Sequence, residues 1–143
     1  MKRLLLSVGV ASLVLVAAAV FAQSGQPKPY KVVFDLTSAD PLDQQAVLRW
    51  IKEVHGANPG TEMEVVMYGR GPGLVVSGKT TMADGVDEAI RTAHAKFAVC
   101  AIAMKNQQIE RSQLLPNVEV VPDGIGEIVA KQRAGWGYIK VGH

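Results

Sequence analysis

Cysteine is almost missing from this sequence of 143 residues: a single one, Cys100, is present, so no disulfide can form within the chain. Aromatic residues are sparse at 6%, and the three histidines and one cysteine have no metal-ligand spacing, so no metal site is assigned. No full dinucleotide-binding glycine pattern and no P-loop lysine occur. Nor does any internal repeat. Nothing assigns a cofactor. Long apolar runs are missing too, with one exception at the start. Leu4 to Phe21 carries no charge, follows the basic pair Lys2 and Arg3, and gives way at Ala22 to the polar Gln23, Ser24, Gly25 and Gln26. That three-zone pattern is a secretion signal rather than a retained anchor, with cleavage expected after Ala22. It places the mature chain in the periplasm, with no remaining membrane association.

The charge balance lacks an excess of either sign once the signal is gone. Lys2 and Arg3 are two of the 15 basic residues, and the other 13 meet 13 acidic ones. A neutral chain has no electrostatic footprint for nucleic acid, which is bound chiefly through lysine and arginine on phosphates. It also does little to resist self-association. The remaining 121 residues are enough for one hydrophobic core and too few for two.

What is present is a regular alternation of strand and helix signals. Residues 23–29 form a polar lead-in, and a domain follows over 30–143. Tyr30 to Leu36 reads as a strand buried on both faces. Asp40, Pro41 and Asp43 supply an N-cap, a first-turn proline and an early acid, and Val47, Trp50, Ile51 and Val54 form one apolar stripe. Met63 to Tyr68 is the second strand, followed by the loop Gly69 to Gly73; Leu74 to Ser77 is ambiguous. A helix is predicted from Thr81 to Ala95, a strand from Phe97 to Cys100 and a helix from Ala101 to Gln108. Val118 to Val121 is the fourth strand, a helix runs from Asp123 and Gly124 to Ala134, and Trp136 to Val141 is the last strand. Such alternation predicts a mostly parallel five-stranded sheet with helices on both faces.

Ligands of open α/β sheets collect outside the carboxyl ends of the strands. Cys100 falls there, between a strand end and a helix start, where backbone N–H groups and the helix dipole favour a thiolate. A buried cysteine acting as a small hydrophobe is the competing reading. His94 lies at the opposite end of the same strand and is a poor base for the thiol. Asp40 and Asp43 would repel a flavin phosphate after the first strand. The loop Gly69 to Gly73, with Gly71, Pro72 and Gly73 at its end, could let backbone approach a ligand, although tight-turn punctuation explains it better. Trp50 and Trp136, with no basic patch nearby, read as core or subunit-contact residues.

Several of these pieces together resemble the DsrE/DsrF-like family, and its exported single-domain branch in particular. They are the Gly71, Pro72, Gly73 loop, the strand Phe97 to Cys100, the run Leu114, Leu115, Pro116, and Val121, Pro122, Asp123, Gly124 leading to Gln132, Gly135, Trp136, Tyr138 and Ile139. The resemblance implies a flavodoxin-like three-layer sandwich that assembles into trimers or hexamers. It also implies that Cys100 carries sulfur as a persulfide, taken from one protein thiol and passed to another. The alternative from a different class is a non-catalytic oligomeric binding or scaffold module with a structural Cys100; a redox sensor is a third.

Overall fold

In the computed structural model, which describes residues 28–142, five strands alternate with four helices. The order is β1 (Lys31–Leu36), α1 (Pro41–Ala57), β2 (Glu62–Met67), α2 (Ala83–Ala93), β3 (Lys96–Cys100), α3 (Ala101–Asn106), β4 (Glu119–Val121), α4 (Gly124–Arg133) and β5 (Gly137–Val141), with short 3₁₀ turns at Gly71–Val75 and Arg111–Gln113. The segment that the sequence leaves ambiguous is therefore half 3₁₀ turn. It continues into an antiparallel bridge between Val76 and Leu114. The expected signal, the cleavage point and most of the lead-in lie outside the described residues.

All strand pairs are parallel, in the order β4-β3-β2-β1-β5. Chain direction explains how the helices divide. From β1 to β4 each crossover steps the same way across the sheet, and right-handed connections then put α1, α2 and α3 on one face. The last connection steps back past β1 to reach β5, so α4 lands on the other face. Side chains follow: Val47 and Ile51 of α1, Val86, Ala89 and Ala93 of α2, and Met104 of α3 join Phe34, Leu36, Val65, Met67, Phe97 and Val99 in one core. Ile128 of α4 packs with Val33, Val66 and Ala98 in a smaller one. The result is a flavodoxin-like α/β sandwich with unequal outer layers.

Helix starts obey local chemistry. Asp40 caps α1 by accepting a hydrogen bond from the Leu42 N–H at 2.8 Å, with Pro41 as first residue. Asp123 caps α4, accepting from the N–H groups of Ile125 and Gly126, both at 3.1 Å. α1 runs through Gly56 to Ala57 before Asn58 closes it. Two helices end short of expectation: α2 stops at Ala93 rather than Ala95, because His94 takes a left-handed conformation with φ of 52°, and α3 stops at Asn106 rather than Gln108.

Candidate functional site

Cys100 ends β3 and forms the N-cap of α3, with extended backbone at φ −68° and ψ 121°. The strand-to-helix rim expected from the sequence is thus where the thiol sits. A second helix start, unforeseen, lies against it. A Cβ placed on Gly124, the first residue of α4, would come within 3.2 Å of the Cys100 Cβ and of the Tyr68 Cβ and Cδ1. A side chain at position 124 would crowd all three atoms, which would have to give by a few tenths of an ångström. The thiol is buried, with 4% of the residue exposed.

On the same face, β1 places an acid in its otherwise apolar run. Asp35 is 4% exposed. Its Oδ2 accepts hydrogen bonds from the hydroxyls of Tyr138, at 2.6 Å, and Tyr68, at 3.2 Å, while the buried Oδ1 has no partner. An unpaired buried acceptor costs about 1–3 kcal/mol. The hydrogen bond to Asp35, with burial and the nearby negative charge, pushes Tyr138 up to about 12. Burial, then the charge of Asp35 and its hydrogen bond, also raises Tyr68. Both phenols are therefore hydrogen donors at neutral pH. Asp35 is the penultimate residue of β1, while Tyr138 is level with Val33 near the start of β5 and reaches the carboxylate from the neighbouring strand.

A second polar group lies deeper on this face. Glu64 of β2 pairs with Lys131 of α4, which also reaches Glu127 and lies 4.4 Å from the centroid of the Trp136 ring. Burial pushes the Glu64 carboxyl above its usual range, further than Lys131 pulls it back.

Gly71 and Pro72 are buried. A Cβ on Gly71 would lie 2.0 Å from the Leu36 carbonyl oxygen, so the space a side chain would fill is taken by the end of β1. The Arg70 N–H donates to the Thr37 carbonyl at 3.0 Å, and the Gln107 side-chain amide donates to the Gly69 carbonyl at 2.6 Å. Those bonds tie the loop to β1 and to the end of α3. Cys100 and Tyr68 each lie close to Gly124, at the start of α4.

Other cavities are elsewhere. An apolar groove of about 530 Å³ between α1 and α2 is lined by residues that include Leu48, Ile51, His55 and Ala89. A polar cleft of about 500 Å³ lies at Ser38, Asp40, Asp43 and Arg70. His55 is in the last turn of α1. His94 precedes β3, at the far end of that strand from Cys100. Trp50 packs on Phe34 with ring centroids 6.5 Å apart. Among the described residues, no group of three or more His, Cys, Asp or Glu is placed to hold a metal ion, and no helix is long and apolar enough to cross a membrane.

The model of the DsrE/DsrF-like family matches residues 31–141, from the first residue of β1 to the last of β5. The chain belongs to the DsrE/DsrF-like family. A solved relative in fold is a protein of unknown function, MTH1491 from Methanobacterium thermoautotrophicum. It is 25% identical with a TM-score of 0.74, covering 78% of this chain and 98% of its own. No curated protein matches the chain.

Within this DsrE/DsrF-like framework the sequence points to Cys100 but misses Asp35, Tyr68 and Tyr138 as a connected group. A signal was available. Asp35 is an acid inside a strand read as buried on both faces, where a lone carboxylate needs donors. What could not be read is which donors, because Tyr138 reaches Asp35 across 103 positions of sequence.

Proposed function

We propose that this protein is an exported, periplasmic sulfur carrier of the DsrE/DsrF-like family that holds sulfane sulfur as a persulfide on Cys100. The observation that carries the reading is the chain's only thiol at the carboxyl rim of the sheet, set against the starts of α3 and α4. Family membership supports a sulfur-relay role in general.

The chemistry is thiol exchange. The Cys100 thiolate attacks the outer sulfur of a protein persulfide, R–S–SH. A new S–S bond forms to Cys100 while the old one breaks, and the departing R–S⁻ takes a proton from water. The products are Cys100–S–SH and the donor's free thiol, and transfer to an acceptor thiolate is the same exchange in reverse sense. Gly71, Pro72 and Gly73 shape the approach to this rim through the loop that Gln107 anchors to α3. Partners are a sulfur-donor or sulfur-acceptor protein and further copies of the chain, as trimers or hexamers. The exposed apolar residues Ile102, Ile125, Val129, Tyr138 and Ile139 support such assembly.

Mass spectrometry of the folded protein after treatment with polysulfide or thiosulfate tests the reading. Addition of 32 mass units at Cys100 is expected; a folded protein that stays unmodified sinks it. The 4% exposure of Cys100 favours a second reading, an oligomeric binding module in which the cysteine is packing. That reading requires Cys100 to react with thiol reagents only after denaturation.

A further inference from the structure

The two edges of the sheet are built differently. β4 is three residues long and is followed at once by Pro122, so it offers little backbone to another chain. β5 runs for five residues without proline, pairs with β1 alone among the described residues, and keeps Gly137 to Lys140 exposed. Two of these are large and apolar, Tyr138 at 43% and Ile139 at 39%. A strand edge of this kind is a template for further pairing.

The ladder fixes which backbone groups face outward. The Tyr68 N–H donates to the Leu36 carbonyl at 3.3 Å, so Leu36 and alternate residues of β1 turn their polar groups to β2, and Val33 and Asp35 turn theirs to β5. Val33 is level with Tyr138, and Asp35 with Lys140. A residue in a parallel pair bonds to the two residues that flank its level partner, so Gly137, Ile139 and Val141 face β1. Tyr138 and Lys140 aim their N–H and C=O groups away from the sheet. Their side chains share the α4 face with Val33 and Asp35. Ile139 is on the other face, where it lines a mostly apolar groove of about 280 Å³ with Phe34, Trp50, Glu53 and Val54.

We propose that β5 pairs antiparallel with β5 of a second copy about a two-fold axis at Ile139, joining the two sheets into one. The strand's own pattern selects both the partner and the register. Tyr138 then stands opposite Lys140 of the second copy, and Lys140 opposite its Tyr138. Each outward N–H and C=O of these residues finds a partner, and each ammonium lies beside a phenol ring instead of another ammonium. Ile139 meets Ile139 at a non-hydrogen-bonded position, where opposed residues come closest, and the two grooves at Trp50 become neighbours. A slip of two residues one way sets Lys140 against Lys140; the other way it sets Ile139 against Gly137. A strand of unrelated sequence has no such reciprocity, which is the mark of a self-complementary two-fold contact. The proposal rests on the oligomer part of the reading above, names one of its contacts, and is independent of the persulfide. Such a contact fits a hexamer and excludes a purely cyclic trimer.

The test is disulfide trapping in the full chain. Ile139→Cys, Tyr138→Cys and Lys140→Cys, each in a Cys100→Ala background, are oxidised with copper phenanthroline at micromolar concentration and run on non-reducing gels. Ile139→Cys gives a covalent dimer as the main band, because a Cα separation of about 4.5 Å lies within disulfide range. It forms about tenfold faster than at either neighbour, whose symmetry mates are diagonal to it at about 7–8 Å. Sedimentation velocity of the wild type and Ile139→Lys is the second readout. That substitution sets two ammonium groups against each other at the axis and raises the dissociation constant of the contact at least about tenfold. A wild-type monomer, trapping at Tyr138 or Lys140 as fast as at Ile139, or an Ile139→Lys variant that sediments as wild type overturns the pairing. Should Tyr138→Cys fail to fold, having lost its bond to Asp35, the comparison of Ile139 with Lys140 decides. Trapping at Ile139 with no persulfide on the wild-type Cys100 keeps the edge contact and removes the sulfur reading. Persulfide on the wild type without trapping at Ile139 does the opposite.

Discussion

At Asp35 a carboxylate is held inside a sheet by two phenols, and that arrangement has a consequence in alkaline solution. The folded-state pKa of Tyr138 is raised to about 12, against about 10 in an unfolded chain. The stability it contributes is whole below pH 10 and is lost as the pH climbs from 10 through 12. Asp35→Asn removes the charge and weakens the acceptor, so the Tyr138 transition should fall towards 10; absorbance at 295 nm during alkaline titration measures it, and an unmoved transition would show that Asp35 is not its cause. Gly71 makes a different point about single residues. Because a methyl group there would press on the Leu36 carbonyl at 2.0 Å, Gly71→Ala is expected to cost at least about 1–3 kcal/mol in urea unfolding. A cost near zero would mean that the loop is free to shift.

Among the described elements, α4 is alone on its face and depends on two devices. Its N-cap is one: Asp123→Ala should cost about 1 kcal/mol by loss of the bonds to the Ile125 and Gly126 N–H groups. An unchanged urea midpoint would leave the cap without energetic weight. Its pair with the sheet is the other. Lys131→Met strands the buried Glu64 carboxylate, and breaking such a pair costs about 3 kcal/mol at neutral pH. Burial has already raised Glu64, so in the variant a proton relieves the stranded charge, and the cost should shrink as the pH falls through that raised pKa. Urea unfolding at pH 7.5 and 4.5 checks the sign, and equal costs at both would contradict it. Helix starts were legible in the sequence because Asp40 and Asp123 act within three residues of themselves. The end of α2 was not: His94 adopts positive φ, which its residue type does not announce.

For the whole molecule, the exposed apolar residues of α3, α4 and β5 are expected to meet another copy of the chain. Sedimentation velocity at micromolar concentration should give an oligomer, and Ile125→Lys should shift it towards monomer; a wild-type monomer would remove the proposed assembly. The sequence by itself determined the succession of five strands and four helices, the parallel sheet and the rim position of Cys100. Each of these follows from short-range patterns, namely caps, stripes of apolar residues and β-branched runs, that need no knowledge of distant neighbours. Only the tertiary structure decided that α4 would sit alone on its face, that its first residue would press on the cysteine, and that Asp35 would gather Tyr68 and Tyr138. Those outcomes depend on β5 returning to the far side of β1. That step joins residues from opposite ends of the chain, and local propensity carries no information about it.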